Sequence, residues 1–290
     1  MPWNVESLAS HQLRVYTTKR IVSRKTRKVS IELKFEKIGQ MIAAEGTPAF
    51  PSRLSNFLRT LAPYDFTVIF GYRDAARPLD LFDDFPGNKR AVFVTDYQAG
   101  PYMLDPFYLA ATCSAVPGLY RMRDIAPDRF FQGEYFRNYY VQTGLAEEIG
   151  FFVETGRGTV VVLSLMRSQK AFSTKEFAAI QGGWPIVEAA CKRHWSDLAV
   201  QFDATESGDA GTSDGRIQRS FQRFGEGLLT PREREVVEYT LKGHSAEAIR
   251  QILGISSGTV RIHRRNIYAK LGISSQGELF ARFISTLART

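Results

Sequence analysis

LTPREREVVEYTLKGHSAEAIRQILGISSGTVRIHRRNIYAKLG, residues Leu229–Gly272, decides how the C-terminal part of this chain folds. Thr230 stands where a helix N-cap belongs, Pro231 at the first helical position and Glu233 three residues after the cap, the spacing of a capping box. Val236, Val237 and Leu241 make one apolar face of that helix, and Gly243 ends it. Ser245 caps a second helix bearing Ala248, Ile249, Ile252 and Leu253, which stops at Gly254, a residue that accepts the left-handed backbone of a tight turn. Ser256 caps a third helix that runs to Leu271. In it Val260, Ile267 and Leu271 face inward at helical spacing, while Arg261, Arg264, Arg265 and Lys270 project cations. Gln276–Leu287 reads as a fourth helix with a stripe of Leu279, Phe280, Phe283, Ile284 and Leu287.

The charge distribution points the same way. The chain of 290 residues carries a net charge of +8, which suits an anionic partner only if the charge is concentrated. Residues 228–290 hold ten Lys/Arg against five acids, residues 1–40 hold nine against three, and the middle is net acidic. An amphipathic cationic helix after a tight turn fits a DNA major groove, its first residues meeting base edges and its amide groups a phosphate. Taken alone, the same arginines read as the solvated face of a surface helix.

Leu229-Thr230-Pro231-Arg232-Glu233, Gly243, Leu253-Gly254-Ile255-Ser256, Thr259-Val260-Arg261, His263 and Lys270-Leu271-Gly272, at these spacings, resemble the LuxR-type helix-turn-helix family. The resemblance covers residues 228–290 and implies an all-α, four-helix domain that binds double-stranded DNA. It matches Arg261, Ile262 and Arg265 to base-facing positions and makes Thr259, Arg264 and Lys270 the phosphate candidates. Three residues depart from the family pattern: Arg250 replaces a small Ala, Ala248 an acid, and Gln276 an Arg that touches the DNA backbone.

Residues 35–202 mix helix and strand patterns. Phe66–Tyr72, Ala91–Thr95, Glu148–Glu154 and Thr159–Arg167 read as strands, the last two joined as a hairpin through Thr155-Gly156-Arg157-Gly158. A helix starts at Ser173, with Glu176 completing its capping box, and Gly182, Gly183 and Pro185 interrupt it. Tyr102-Met103-Leu104-Asp105-Pro106, then Pro117 and Tyr120, then Gly144-Leu145 ahead of the hairpin, resemble the acyl-homoserine-lactone domain of quorum-sensing LuxR proteins. That resemblance implies a GAF/PAS-like sensor: an α+β domain with an antiparallel sheet flanked by helices, in which Asp105 accepts a hydrogen bond from a ligand amide and aromatic residues wall the ligand. The chain departs from that pattern as well. No Trp lies between Trp3 and Trp184, and Glu147-Glu148 replaces a segment that normally includes Gly. The expectation is a cavity near Tyr102, Asp105 and Tyr120 for a neutral or weakly polar effector rather than an ordinary acyl-homoserine lactone. Asp105 has a second reading as the N-cap of a helix through Pro106, Phe107, Tyr108 and Leu109, and the Tyr and Phe residues a second reading as core.

The expected organisation is a basic, disordered tail over 1–34, a sensor over 35–202, a linker over 203–227 centred on DATESGDAGTSDG, and the DNA-binding domain over 228–290. The tail either adds phosphate affinity or is a solvated extension. Cys113 and Cys191 are too few for a disulfide framework or zinc site, and four His without ligand spacing give no metal or cofactor site. No hydrolase, metalloprotease or phosphate-loop motif occurs, so an enzyme with a DNA-binding tail is the remote alternative and a constitutive dimer with a purely structural N-terminal domain the nearer one. The reading is therefore a cytoplasmic bacterial transcriptional regulator without a membrane span. Its expected partners are a small-molecule effector and a second copy of itself, with RNA polymerase a further candidate. The homodimer is expected to bury the stripe of the fourth helix and to read inverted repeats.

Overall fold

The computed structural model describes residues 31–113, 115–137, 141, 144–208, 221 and 223–287, so the expected tail lies outside the described residues as far as residue 30. Residues 31–34, assigned to that tail, already belong to helix α1, residues 31–43. The chain forms two compact units divided between Pro63 and Tyr64, and the expected break at 203–227 falls inside the second. In the first unit α1 is followed by α2 (Phe50–Arg59), which has Pro51 in its first turn and buries Phe50, Leu54, Phe57 and Leu58.

The second unit is built on β1 (Phe66–Arg73), β2 (Leu79–Asp83), β3 (Gly118–Arg121), β4 (Glu147–Gly156) and β5 (Thr159–Arg167), antiparallel throughout in the order β2-β1-β5-β4-β3. β4 and β5 form the expected hairpin, turning where Gly156, Arg157 and Gly158 have φ of 103°, 51° and 72°. The pairing Gly150↔Ser164 and Val68↔Ser164 fixes which side chains share a face. Val68, Phe70 and Tyr72 of β1, Glu148, Gly150 and Phe152 of β4, and Val162, Ser164 and Met166 of β5 look one way. Across that face lies α3 (Pro106–Thr112). It comes so close that a Cβ on Gly150 would stand 2.7 Å from the Phe107 ring, which is why the strand has glycine there.

The opposite face carries Ile149, Phe151, Val153, Val161, Leu163 and Leu165, all buried. It is covered by α4 (Thr174–Gln181), α5 (Trp184–His194) and α6 (Leu198–Gly208), with Trp184 stacked on Phe151 at 6.1 Å. α4 has the expected capping box of Ser173 and Glu176, and the break between α4 and α5 falls at Gly182 and Gly183 as the sequence indicates. α6 enters the segment read as linker, so residues 203–208 are helical and 209–220 lie outside the described residues. Ala91–Thr95 is corrected from strand to a wide helical turn over Ala91–Asp96. Its β-branched residues suggest a strand, but Val94 and Tyr97 are buried at helical spacing.

α7 (Pro231–Leu241), α8 (Ala246–Leu253), α9 (Ser257–Leu271) and α10 (Gln276–Leu287) follow the expected caps, with Gly254 and Gly272 both at φ 63°. The stripe of α10 differs from expectation: Leu279, Phe280 and Phe283 are buried within the chain. Phe283 stacks on Phe221 at 4.7 Å and meets Phe224 edge-on at 5.6 Å, aromatic residues of the segment before α7 that the helix-by-helix reading left out. The stripe is thus core rather than a waiting dimer face. Among the described residues no helix is long and apolar enough to cross a membrane.

Candidate functional site

α9 owes its two-sidedness to Val260, Ile267 and Leu271, which pack inward and leave Arg261, Ile262 and Arg265 exposed together on the outside. Ile262 is 51% exposed, an unusual place for a large aliphatic side chain unless something covers it. The helix is aimed by its caps: Ser256 Oγ accepts from the Thr259 amide at 3.0 Å, and the Thr259 hydroxyl lies 2.8 Å from Ser256 Oγ beside the open N-terminal turn. Arg250, at the position of a small family residue, turns outward and pairs with Glu247 at 2.6 Å. Gln276 donates to the Thr240 carbonyl at 3.4 Å.

Two of the three phosphate candidates, Arg264 and Lys270, are placed differently from Thr259. Arg264 is half-buried against α7, where Nη2 donates to Thr240 Oγ1 at 3.2 Å and Nε is buried without a hydrogen-bond partner. Burial, aided by the nearby Arg129 charge, lowers its pKa. Lys270 spans back to helix α7, its ammonium 2.6 Å from Glu233 Oε2. Glu233 also accepts from the Thr230 amide at 2.8 Å. Burial works against its charge, but Lys270 and Thr230 outweigh that and hold the carboxyl below its ordinary pKa. Lys270 therefore secures the first helix as well as adding positive charge. Lys270→Met is expected to cost about 1 kcal/mol of stability at neutral pH. The contribution exists above the unfolded carboxylate range and fades as pH falls through the depressed folded value. Equal denaturation midpoints for wild type and variant at pH 7 would refute the assignment.

The sheet face under α3 borders a partly open cavity of about 40 Å³ lined by Phe70, Tyr97, Asp105, Phe107, Tyr135 and Glu148 among others. Of the three expected residues Asp105 lines it, and its side chain has two partners. Oδ1 caps α3 by accepting from the Phe107 amide at 2.8 Å, while Oδ2 accepts from the Tyr97 hydroxyl at 2.7 Å. Tyr97 is bonded in turn to the Tyr72 hydroxyl at 2.8 Å. Tyr102 is buried beside the cavity against the Tyr97 and Tyr108 rings, 6.1 and 5.0 Å away between centroids. Tyr120 is carried by edge strand β3 over Phe152, and its hydroxyl donates to the Val116 carbonyl at 2.6 Å. Glu148 was not among the expected cavity residues, although Glu147-Glu148 is a segment where the chain departs from the family pattern. Burial and the neighbouring Asp105 charge raise its pKa, with a hydrogen bond to Ser164 opposing; burial likewise raises that of Asp105.

Residues 127–136 join this cavity to the DNA-reading helices. Tyr135 lines the cavity, and a few residues earlier the Arg129 amide donates to the Gly243 carbonyl at 2.9 Å. The Ser245 amide, at the cap of α8, donates to Asp128 Oδ1 at 2.9 Å. Gly243 has φ 93°, and a Cβ there would stand 2.8 Å from Phe130 Cα.

The profile of the bacterial regulatory proteins of the luxR family matches residues 227–282. A putative HTH-type transcriptional regulator of Aeromonas salmonicida is 32% identical over 186 residues, 63% of this chain and 94% of that protein. The transcriptional activator protein PhzR of Pseudomonas fluorescens is 28% identical over 193 residues, 66% of this chain and 69% of that one. Among solved structures, the VqsR LBD domain from Pseudomonas aeruginosa is similar with a TM-score of 0.49 and 25% identity, covering 55% of this chain and 94% of that domain.

Proposed function

The chain belongs to the LuxR family of bacterial transcriptional regulators, and on that premise we propose that it reads operator DNA through Arg261, Ile262 and Arg265 of α9, under control of a small molecule bound at Asp105. The observation that carries the reading is the exposure of these three side chains on one face of a helix whose other face is core. Arg261 and Arg265 are long enough to pair bidentately with guanine edges, and Ile262 suits a thymine methyl. Thr259 and the amides of the first turn meet phosphate. Lys270 adds to the phosphate field, and Arg264 braces α9 against α7. One such unit covers one half-site, so two copies read inverted repeats about one helical turn apart. Leu279, Phe280 and Phe283 of α10, being buried within the chain, are not the residues of that dimer contact.

The test begins with selection of preferred duplexes from a random pool, followed by binding at fixed salt. Arg265→Ala should lose about 1–3 kcal/mol on the selected site and leave nonspecific affinity nearly intact. A specific-to-nonspecific ratio equal to that of the wild type would sink the assignment.

A further inference from the structure

The cavity under α3 holds two carboxyl groups and no opposite charge. Asp105 enters from the cap of α3 and Glu148 from the interior strand β4, and they are 8% and 6% exposed. Asp105 is satisfied by the Phe107 amide and the Tyr97 hydroxyl, whereas Glu148 has the Ser164 hydroxyl beside it. Among the described residues neither is ion-paired with a cationic side chain. The buried arginines of this sheet are engaged elsewhere, Arg121 with Glu147 and Arg167 with Glu176. Two buried carboxyl groups that repel each other are costly when nothing lies between them.

Aromatic rings complete the lining. Phe70, Phe93, Tyr97 and Phe107 line the same cavity, and ring faces attract a desolvated cation. Empty, the pair relieves its repulsion by holding the Glu148 carboxyl toward its protonated form; a neutral ligand leaves that proton in place, an anion is repelled by Asp105, and a cation takes the place of the proton between two ionised carboxylates. We propose that this cavity is a site for a small organic cation, its ammonium group between Glu148 and Asp105 and its apolar remainder against Phe70 and Phe93. This rests on the reading of the domain as a sensor and departs from the neutral effector expected from sequence. The volume of about 40 Å³ suits a molecule of few heavy atoms.

The test uses the full chain and three probes that share an isopropyl group and are of similar size: isobutylamine, a cation at neutral pH; isobutanol, neutral; and isobutyrate, an anion. Thermal shift is followed to saturation for wild type, Glu148→Gln and Asp105→Asn. Isobutylamine is expected to raise the wild-type Tm saturably and the other two probes not to. Glu148→Gln keeps the shape, relieves the repulsion and so folds at least as well as the wild type. Its midpoint for isobutylamine should rise about thirtyfold. Asp105→Asn, which retains a capping side chain, should weaken the same probe. A saturable shift from isobutanol or isobutyrate matching that of isobutylamine would overturn the cation while keeping the cavity as a ligand site. No shift from any probe would overturn the cation and the sensor reading together.

Discussion

Arg121→Met is expected to cost about 3–5 kcal/mol, the range seen when one partner of a buried ion pair is removed. Arg121 and Glu147 are both buried, with Nη1 2.5 Å from Oε1. The pair also ties down the chain that leads into α4. Arg121 Nη2 donates to the Phe172 carbonyl at 3.1 Å, Glu147 Oε2 accepts from the Phe172 amide at 2.5 Å, and the guanidinium lies 4.3 Å from the centre of the Phe177 ring. Removing the arginine leaves a buried carboxylate with one amide donor and, 3.7 Å away, only the exposed Arg123 guanidinium. The paired replacement Arg121→Met with Glu147→Leu should recover most of the loss, because no uncompensated charge remains. Urea denaturation of both singles and the double reads this directly. A single-variant loss below about 1 kcal/mol, typical of an exposed pair, would show that the site is not desolvated as described.

The second large effect belongs to Gly243. Gly243→Ala should strain the backbone by about 1–3 kcal/mol, since alanine is poorly accommodated at φ 93°, and should in addition push residues 127–136 away. Gly254→Ala provides the control, because its φ is also positive, 63°, but nothing lies within 4 Å of the added Cβ. Amide exchange should therefore accelerate at Arg129 and Ser245 in the Gly243 variant and stay slow in the Gly254 variant. Equal exchange in both would mean that the contact with Phe130 does not hold the two parts together.

Much of this architecture is legible in the sequence where a residue has one physical reason to be where it is. Thr230, Ser173 and Ser256 cap helices because their hydroxyls meet amides that have no other partner, and Gly254 and Gly272 end helices because other residues resist the left-handed turn. Where packing decides, local pattern gives too little. The β-branched run at Ala91–Asp96 lacks a strand neighbour and coils, while the short edge strands β2 and β3 exist through pairing with longer partners. The stripe of α10 is periodic whether it meets Phe221 or another molecule, so periodicity alone could not say which. The cavity was legible at Asp105, whose position after a tight turn and before Pro106 has two uses. It was hidden at Glu148, which looks like an ordinary strand acid until the register turns it inward beside Ser164.

The segment from Asp128 to Tyr135 touches the cavity at one end and the turn before α8 at the other. Thermodynamic reciprocity then constrains the protein without reference to any route through the interior. If an occupant of the cavity changes operator affinity by some factor, the operator must change affinity for that occupant by the same factor. Titrating effector against protein alone and protein saturated with its selected duplex would thus measure the regulatory gain of the molecule from the ligand's side, with no transcription assay. Whether the effector releases the DNA or recruits it would be given by the sign of that difference.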